Sequence, residues 1–531
     1  MRKVLSSILV ESNRVLTAPR RLGSRPDFVC GIQYGDSESV SCNPLRLTGG
    51  DRHKHENPHA RTTNLEITMT SSMNSFYLRT LFILATALSV SCQCSTTTSS
   101  HGDDIARAVG ALSSCDPRSV TIDSPLISTT TSIDGNGRSL ILNSSTSSNG
   151  FQNYFTFTNF GELYIQDLSF SGAAFYRVNS LRLNNITTNN TPLSFGTISD
   201  VAVSNSYIYT MSLYTGSGNC TLSISNSTIL DHVTTFGCTT LVSGSLFNST
   251  GINTGLQSNL NVTIVDSTFS QFVDSAIITS SSAFIQNSFF DSNIGTNGGH
   301  VQAYADVTVY NSTFFGGLAT ARGGAIYSKN GTVYVSGSVF TSNTANSIQM
   351  FATGGSASPI GSGGAIFSGK QVVVDSSSFS MNAGIYGGAI HSQEISVNGV
   401  NFLNNHADGF GGCLHSLTGP LYVYNSTFTN STIYPLNNGG AIFLLGSSES
   451  SIESSTFNSN GGGQSGALYV RGSNTTITLS DVHFYNNYVC DTCDSRAATW
   501  YIEAGNLNLI NTTVVPSFST TSLGNVQGYA V

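Results

Sequence analysis

Two histidines occupy the same place in consecutive copies of a short motif. His391 follows the apolar residue of GGAIHS, and His415 follows that of GGCLHS. If the copies stack as neighbouring strands, the two imidazoles lie ~5 Å apart, close enough to share a metal ion. The other copies carry Tyr327, Phe367, Phe443 and Tyr469 at this place. A row of mixed Tyr, Phe and His is more typical of a stacking surface, so the pattern predicts an exposed aromatic ladder that binds a glycan or a partner protein, with no metal.

Acidic residues are few and scattered, since charged residues make up only 9% of the chain. Asp266, Asp375 and Asp481 occupy separate turns, and Asp408 stands alone in NNHADGFGG. A polysaccharide lyase of the β-helix type usually holds Ca²⁺ with several carboxylates, and a glycoside hydrolase needs two carboxylates beside the scissile bond. Neither arrangement is visible. The chain is therefore predicted to be non-catalytic and without a cofactor, and a divergent pectin-active lyase or hydrolase is the alternative.

Five of the ten cysteines lie in sequence patterns that indicate a structural role. Cys220 and Cys238 each precede an apolar anchor by nine residues, which makes them neighbours on stacked strands and compatible with a disulfide or with two stacked thiols. Cys490 and Cys493 form a lone C-x-x-C, which favours a local disulfide over zinc. Cys413 replaces the alanine of GGAI and is predicted to be a small buried thiol.

A strand template recurs along the chain. Two apolar residues separated by one position, such as Val333 and Val335, are followed five residues later by an anchor such as Phe340. Successive anchors lie 18 to 30 residues apart, with one step of 39 ending at Phe379. An apolar period of two excludes helical repeats, and the repeats are too short for propeller blades. The pattern predicts an all-β fold, a single right-handed parallel β-helix of about 15–17 coils, with a loop near Ser356.

Two polar positions accompany the template. A residue that tolerates a left-handed backbone stands three places before each anchor and predicts a corner of the coil. These residues are Asp167, Asn185, Asn205, Asn226, Asp266, Asn287, Asn311, Gly337, Gly399, Asn425, Asp481 and Asn511. The pattern F-x-x-N predicts stacked amides that bond along the helix axis and satisfy the turn backbone. This ladder comprises Asn293, Asn343, Asn382, Asn405, Asn460 and Asn487.

The GGAI and F-x-x-N motifs alternate in six copies between about Phe290 and Asn487. Together they resemble the repeat of the polymorphic outer membrane proteins. That resemblance implies a right-handed β-helix, a place at the outer membrane or extracellular surface, and a role in adhesion.

The chain divides into five predicted segments. Residues 1–72 read as a disordered leader or gene-model extension, in which Met1 to Arg21 could instead be a transit peptide. Residues 73–94, with an apolar run after Arg79, read as a signal peptide. Residues 95–118 are a predicted N-terminal cap, 119–515 the β-helix and 516–531 a C-terminal tail.

These features together favour an exported protein that is secreted or held at a cell surface. No transmembrane segment is expected in the mature chain, because the one apolar run is shorter than the ~20 residues that a spanning helix needs. A net charge of −8 without a basic stripe argues against a nucleic-acid partner. Asn-x-Ser/Thr sequences such as the one at Asn226 would permit glycosylation. The leading hypothesis is non-catalytic adhesion or ligand binding, and a structural extracellular spacer is a further alternative.

Overall fold

The computed structural model describes residues 131–134, 138–144, 154–170, 172–188, 192–216, 220–249, 251, 253–346, 361–434, 437–446, 448–489, 498–515 and 524–526 of the region that contains the β-helix. It also describes the strands Val29–Gly31, Gln93–Thr98 and Arg118–Ile122. The predicted loop near Ser356, and most of the predicted leader and signal peptide, lie outside the described residues.

Parallel strands stack coil upon coil, and each strand pairs with its counterpart in the next coil. Val307 pairs with Val333, and Val333 pairs in turn with Val372, as the repeated template requires. Each coil from Tyr154 to Val515 contributes described segments to three faces. Seventeen described segments stack on the first face. The predicted all-β parallel β-helix is confirmed.

Several long strands continue around corners from one face to the next. They are Tyr154–Phe170, Gly172–Thr188, Pro192–Ser204, Ile366–Asp375, Ile390–Asn398, Leu468–Ser480 and Trp500–Ile510. The other first-face strands are Thr131–Asp134, Thr210–Tyr214, Val233–Phe236, Leu256–Ser258, Ile277–Thr279, Val301–Ala303, Ile326–Ser328, Leu414–Ser416, Ile442–Leu444 and Gly524–Val526. The last of these pairs with Trp500–Ile510, so stacking continues past residue 515.

The second and third faces follow the first along each coil. The other second-face strands are Leu140–Ser144, Cys220–Ser225, Cys238–Ser243, Val262–Val265, Ala283–Gln286, Val307–Tyr310, Thr332–Ser336, Leu421–Tyr424 and Glu449–Glu453. The other third-face strands are Tyr207–Ile208, Thr228–Ile229, Leu246–Asn248, Thr268–Ser270, Phe289–Asp291, Thr313–Phe315, Val339–Thr341, Ser378–Ser380, Asn401–Leu403, Thr427–Thr429, Thr456–Asn458, His483–Tyr485 and Thr513–Val515.

The anchors of the third face form a continuous column inside the coil. Phe314, Phe340 and Phe379 are fully buried, and their neighbouring rings stack with centroids 4.7 Å apart. Burial of each such side chain stabilises the fold by roughly 1.5–3 kcal/mol. The column explains why the anchor is so regularly aromatic.

The predicted corner before each anchor is confirmed. All twelve of its residues have φ between 45° and 62°. The residue after the corner is often a buried serine, which the sequence template missed. The Ser227 hydroxyl donates to the Ser225 carbonyl and accepts from the Ser206 backbone N–H. The same serine ladder contains Ser206, Ser245, Ser267, Ser288, Ser312, Ser338, Ser377, Ser426 and Ser455.

From Phe290 onward, each coil gains an additional strand between the F-x-x-N motif and the paired glycines. These strands form a separate sheet, called the fourth sheet below. Its members are Ile294–Asn297, Leu318–Arg322, Thr344–Ala345, Ala383–Tyr386, His406–Phe410, Thr432–Ile433, Gly461–Gly462 and Tyr488–Val489. The fourth sheet lies directly before the first face in every coil that carries it.

Candidate ligand-binding cleft

A cleft of about 370 Å³ lies where the fourth sheet meets the first face. His391, His415 and Phe443 line it from the first face. Tyr386 and Phe410 line it from the ends of fourth-sheet strands. The cleft is therefore built where both strands are present in a coil, and three residues of the predicted ladder, His391, His415 and Phe443, supply its floor.

The predicted ladder is in register. Consecutive strands pair Tyr327 with Phe367, Phe367 with His391, and so on through the six residues. Neighbouring rings have centroids 4.7 to 5.3 Å apart. The column also continues to Tyr501, which lies 5.1 Å from Tyr469.

The prediction that this ladder is exposed is wrong. Tyr327, Phe367, His391, His415, Phe443 and Tyr469 are all at most 9% exposed. They point away from the interior of the coil, as predicted by the alternation, but fourth-sheet residues pack over Phe367, His391, His415 and Phe443. Tyr386 packs 5.5 Å from His415, and Phe410 packs 4.7 Å from Phe443, measured between ring centroids. A flat docking surface becomes a cleft as a result.

The paired glycines allow this close approach. Gly387 and Gly411 each have φ of +66°, which a residue with a side chain rarely adopts. The second glycine of the pair has a steric role, because a Cβ added at Gly388 would lie 2.1 Å from the carbonyl oxygen of Gly412. Glycine is thus required twice at the turn that joins the fourth sheet to the first face.

The two histidines form a buried neutral pair. Their Nδ1 atoms are 2.9 Å apart, so one ring donates to the other. Burial lowers the pKa of His415 to about 3. Burial also holds the pKa of His391 well below its usual range, helped by the neighbouring His415 and by the positive charge of Arg322. The Nε2 of His415 is buried and has no hydrogen-bond partner among the described residues.

Two arginines line the cleft. The guanidinium of Arg322 lies 5.0 Å from the ring centroid of Phe367. Arg471 lies several coils further on, and its Nε is 3.4 Å from Oε2 of Glu503. The Tyr469 hydroxyl donates to the same Glu503 oxygen at 2.5 Å. Burial and the hydrogen bond to Glu503 raise the pKa of Tyr469.

The scattered acidic residues remain apart in the structure. Asp266 and Asp375 accept from corner or neighbouring amides, Asn287 Nδ2 at 3.1 Å and Asn398 Nδ2 at 2.7 Å respectively. Asp481 accepts in the same way from Asn511, and Asp408 lies 3.1 Å from His406 Nε2. Among the described residues, no group of three or more His, Cys, Asp or Glu could hold a metal ion.

The predicted Asn ladder supports the base of the fourth sheet. Asn382 Oδ1 accepts from the backbone N–H and the side-chain amide of Asn343, both at 3.0 Å. Asn382 Nδ2 donates to the carbonyl of Phe340 and to Asn405 Oδ1, again at 3.0 Å. Asn460 and Asn487 repeat this arrangement, and Asn293 donates to the carbonyl of Phe269. The ladder is confirmed as a buried hydrogen-bond network.

Two coils lack the ladder asparagine and compensate for it at the paired-glycine motif. In one coil Gly317 replaces the asparagine. His300, which stands at the alanine position of the GGAI motif, bridges the gap. Its ring contacts Asn293 Nδ2 at 2.8 Å and Asn343 Oδ1 at 3.2 Å. Ser431 replaces it in another, and Cys413 contacts the Ser431 hydroxyl at 2.8 Å. The predicted buried thiol of Cys413 is confirmed, and burial raises its pKa to about 12.

The predicted disulfide between Cys220 and Cys238 is confirmed. The two residues pair on neighbouring second-face strands, with Cα atoms 4.2 Å apart and a bonded S–S distance of 2.18 Å. Cys490 and Cys493 lie outside the described residues.

Sequence reasoning missed the second wall of the cleft. Arg322, Ser362, Tyr386 and Phe410 each stand immediately before paired glycines and pair with one another in register. Their constant place, one residue before each pair of glycines, was the sequence signal that could have identified this wall. Arg471 and Glu503 carry no repeated motif, so nothing in the sequence pattern marks them.

Within the part of the chain that the structure describes, no helix has the length and apolar character required to cross a membrane. Comparison with protein families, with curated proteins and with solved structures finds no match to this chain.

Proposed function

We propose that this chain is an exported, non-catalytic β-helix protein that binds a glycan in the cleft between the fourth sheet and the first face. The observation that carries the proposal is the cleft itself. Its floor and one wall are aromatic, and two arginines line it. Concave sites with aromatic walls and a few convergent polar groups are typical of ligand binding.

The distribution of carboxylates supports binding rather than cleavage. Glu503 lies beside the cleft residue Arg471 and is engaged by both Arg471 and Tyr469. A retaining hydrolase needs a second carboxyl ~5 Å away, and an inverting one needs it ~6.5–9.5 Å away. The described residues that line the cleft include no Asp or Glu, so the cleft itself presents no pair of carboxyl groups to a bound glycan.

Two features support export and a place outside the cell. The Cys220–Cys238 disulfide is typical of oxidising compartments. The resemblance of the GGAI and F-x-x-N motifs to the repeat of polymorphic outer membrane proteins favours a surface or extracellular location and a role in adhesion. Both features suit a protein that meets glycans or surface proteins of another cell.

The test is a glycan-array binding assay on the purified chain from Ser95 onward, combined with a screen for polysaccharide cleavage. Tyr386→Ala removes a cleft wall and is expected to weaken glycan binding about tenfold, the loss typical of one stacked ring. Tyr422→Ala is the control, because Tyr422 is an exposed second-face residue outside the cleft.

Circular dichroism must show that both variants keep the β-helix. Cleavage of any polysaccharide, or equal binding by the Tyr386 and Tyr422 variants, would overturn the proposal.

A further inference from the structure

We propose that the cleft selects an anionic saccharide, whose acidic groups are received by Arg322 and Arg471. This inference rests on the proposed function and specifies its ligand class. The charge of the cleft is opposite in sign to that of the whole chain. The chain carries a net charge of −8, yet both charged side chains that line the cleft are arginines.

Arg322 carries an uncompensated charge. Its guanidinium contacts the face of Phe367, and no ion pair among the described residues joins it to a carboxylate. The field of Arg322 reaches into the cleft, since it contributes to the lowered pKa of His391. A guanidinium held against a ring face still presents its edge, and that edge receives carboxylate or sulfate oxygens in bidentate fashion.

Arg471 can bind an anion without leaving Glu503. The contact to Glu503 involves Nε, and the side chain of Arg471 is 57% exposed. An arginine has five N–H donors, so the terminal nitrogens remain available for a second acceptor. Glu503 then acts as a positioning residue that holds the guanidinium at the cleft.

The spacing of the two arginines indicates an oligosaccharide rather than a single sugar. Arg322 lies over Phe367, and Arg471 lies in the strand of Tyr469. The ladder places these two rings four strands apart, which corresponds to roughly 19 Å at ~4.8 Å per strand. A ligand that engages both guanidinium groups must therefore be several sugar rings long and carry acidic groups along its length.

The aromatic lining between the arginines suits sugar rings. Tyr386 and Phe410, on the wall of the cleft, stack on each other with ring centroids 5.7 Å apart, and the apolar C–H surface of a sugar can pack against such rings. The floor adds no charge of its own, because the buried histidines His391 and His415 form a neutral pair. The charge selectivity of the cleft therefore comes from the two arginines.

The experiment measures binding of four probes to the purified chain by calorimetry. They are a uronic-acid hexasaccharide, its fully methyl-esterified neutral form, a sulfated hexasaccharide, and a poly-glutamate peptide of equal charge. We expect the uronate to bind at least about tenfold more tightly than its ester, with an affinity that falls as salt is added. The sulfated probe identifies which acidic group is preferred.

The variants are R322Q and R471Q, with K329Q as the matched control. Lys329 also lies over an aromatic ring, Tyr304 at 4.7 Å, but it does not line the cleft. Each arginine variant is expected to weaken uronate binding about tenfold and to weaken binding of the ester by less, so that the preference for uronate over ester falls. K329Q should bind both saccharides as the parent does.

Each contrary result has its own meaning. Equal binding of the uronate and its ester overturns the charge selectivity and leaves the proposed glycan function standing. Binding of poly-glutamate alone identifies an acidic protein as the occupant and overturns both proposals, as does the absence of any saccharide binding. An R322Q or R471Q variant that binds the uronate like K329Q removes that arginine from the site.

Discussion

Residues 154–249, here called the early coils, and residues 290–489, the regular coils, both carry aromatic rows on the outer side of the first face. In the early coils Tyr176, Tyr214 and Phe236 are 45%, 56% and 40% exposed, and the last two stack at 5.3 Å. In the regular coils the six ladder residues are at most 9% exposed. The early row stands two residues after the ladder position on the paired first-face strands, and residues two apart in a strand point to the same side of the sheet.

The burial of these rings follows their position relative to the fourth sheet. The fourth sheet packs over the ladder position, whereas the position two residues further along, where the early row stands, is exposed in the regular coils as well, as at Leu445 (39%). Among the described residues the fourth sheet begins at Ile294, after the early coils have ended. Where it is present, residues such as Tyr386 lie over the ladder and create a cleft. The early row has no such cover among the described residues and remains an exposed surface.

The two regions also differ in their stabilising bonds. Both contain the buried serine ladder, since Ser227 and Ser312 make the same contacts. The early coils add the Cys220–Cys238 disulfide. The regular coils add the Asn ladder, which lies at the start of each fourth-sheet strand. The cleft therefore depends on the amide network, and the early coils do not.

The substitution with the largest expected effect breaks the hydrogen-bond network of the Asn ladder. Asn382→Ala removes four hydrogen bonds to Asn343, Phe340 and Asn405 and leaves buried partners unsatisfied. We expect a local loss of about 3–5 kcal/mol in the free energy of opening of the neighbouring fourth-sheet strands. Hydrogen exchange measures this strand by strand, which suits a solenoid that opens locally.

The control for this change is Asn398→Ala, which removes an exposed contact to Asp375 and should cost less than about 0.5 kcal/mol. Protection of the early coils should be unchanged in both variants. Equal loss of protection in the early and regular coils of Asn382→Ala would contradict the proposed independence of the two regions.

A glycine-to-alanine substitution made once in each region gives the next largest effect. The added Cβ of Gly388→Ala would lie 2.1 Å from the backbone oxygen of Gly412, and that backbone cannot move without disturbing the neighbouring coil. We expect a loss of about 2–3 kcal/mol. The added Cβ of Gly196→Ala meets only the ring of the exposed Tyr176, at 2.9 Å, and should change stability by less than about 1 kcal/mol.

Urea unfolding of the two variants, followed by circular dichroism, compares them directly. Similar midpoints would show that the paired-glycine turn has no special steric requirement.

The sequence predicts the part of this molecule that repeats. The alternation of Val333 and Val335, the anchor Phe340 and the left-handed corner at Asn311 are local rules, and each is confirmed. The exposure of the ladder is a property of two strands that meet in space, so alternation alone assigned it wrongly. Arg471 and Glu503 lie close together because two coils stack, and no spacing in the sequence encodes their contact.

Counted per histidine, the smallest expected effect is a pH dependence confined to the regular coils. Burial lowers the pKa of His300 and His415 from an ordinary value of 6.5 to about 3. Both stay neutral in the folded chain while the unfolded chain takes up protons below pH 6.5. Their contribution to stability is therefore complete above pH 6.5 and is lost as the pH falls toward 3.

At pH 5 the loss amounts to about 2 kcal/mol per histidine. The double variant H391F/H415F should lose less stability between the two pH values than the parent, because Phe already occupies this row at Phe367 and Phe443. Urea midpoints at pH 7 and pH 5 measure the difference. If the parent and the variant shift equally, the buried imidazole pair does not stay neutral in the folded chain, and the cleft floor must hold a charge.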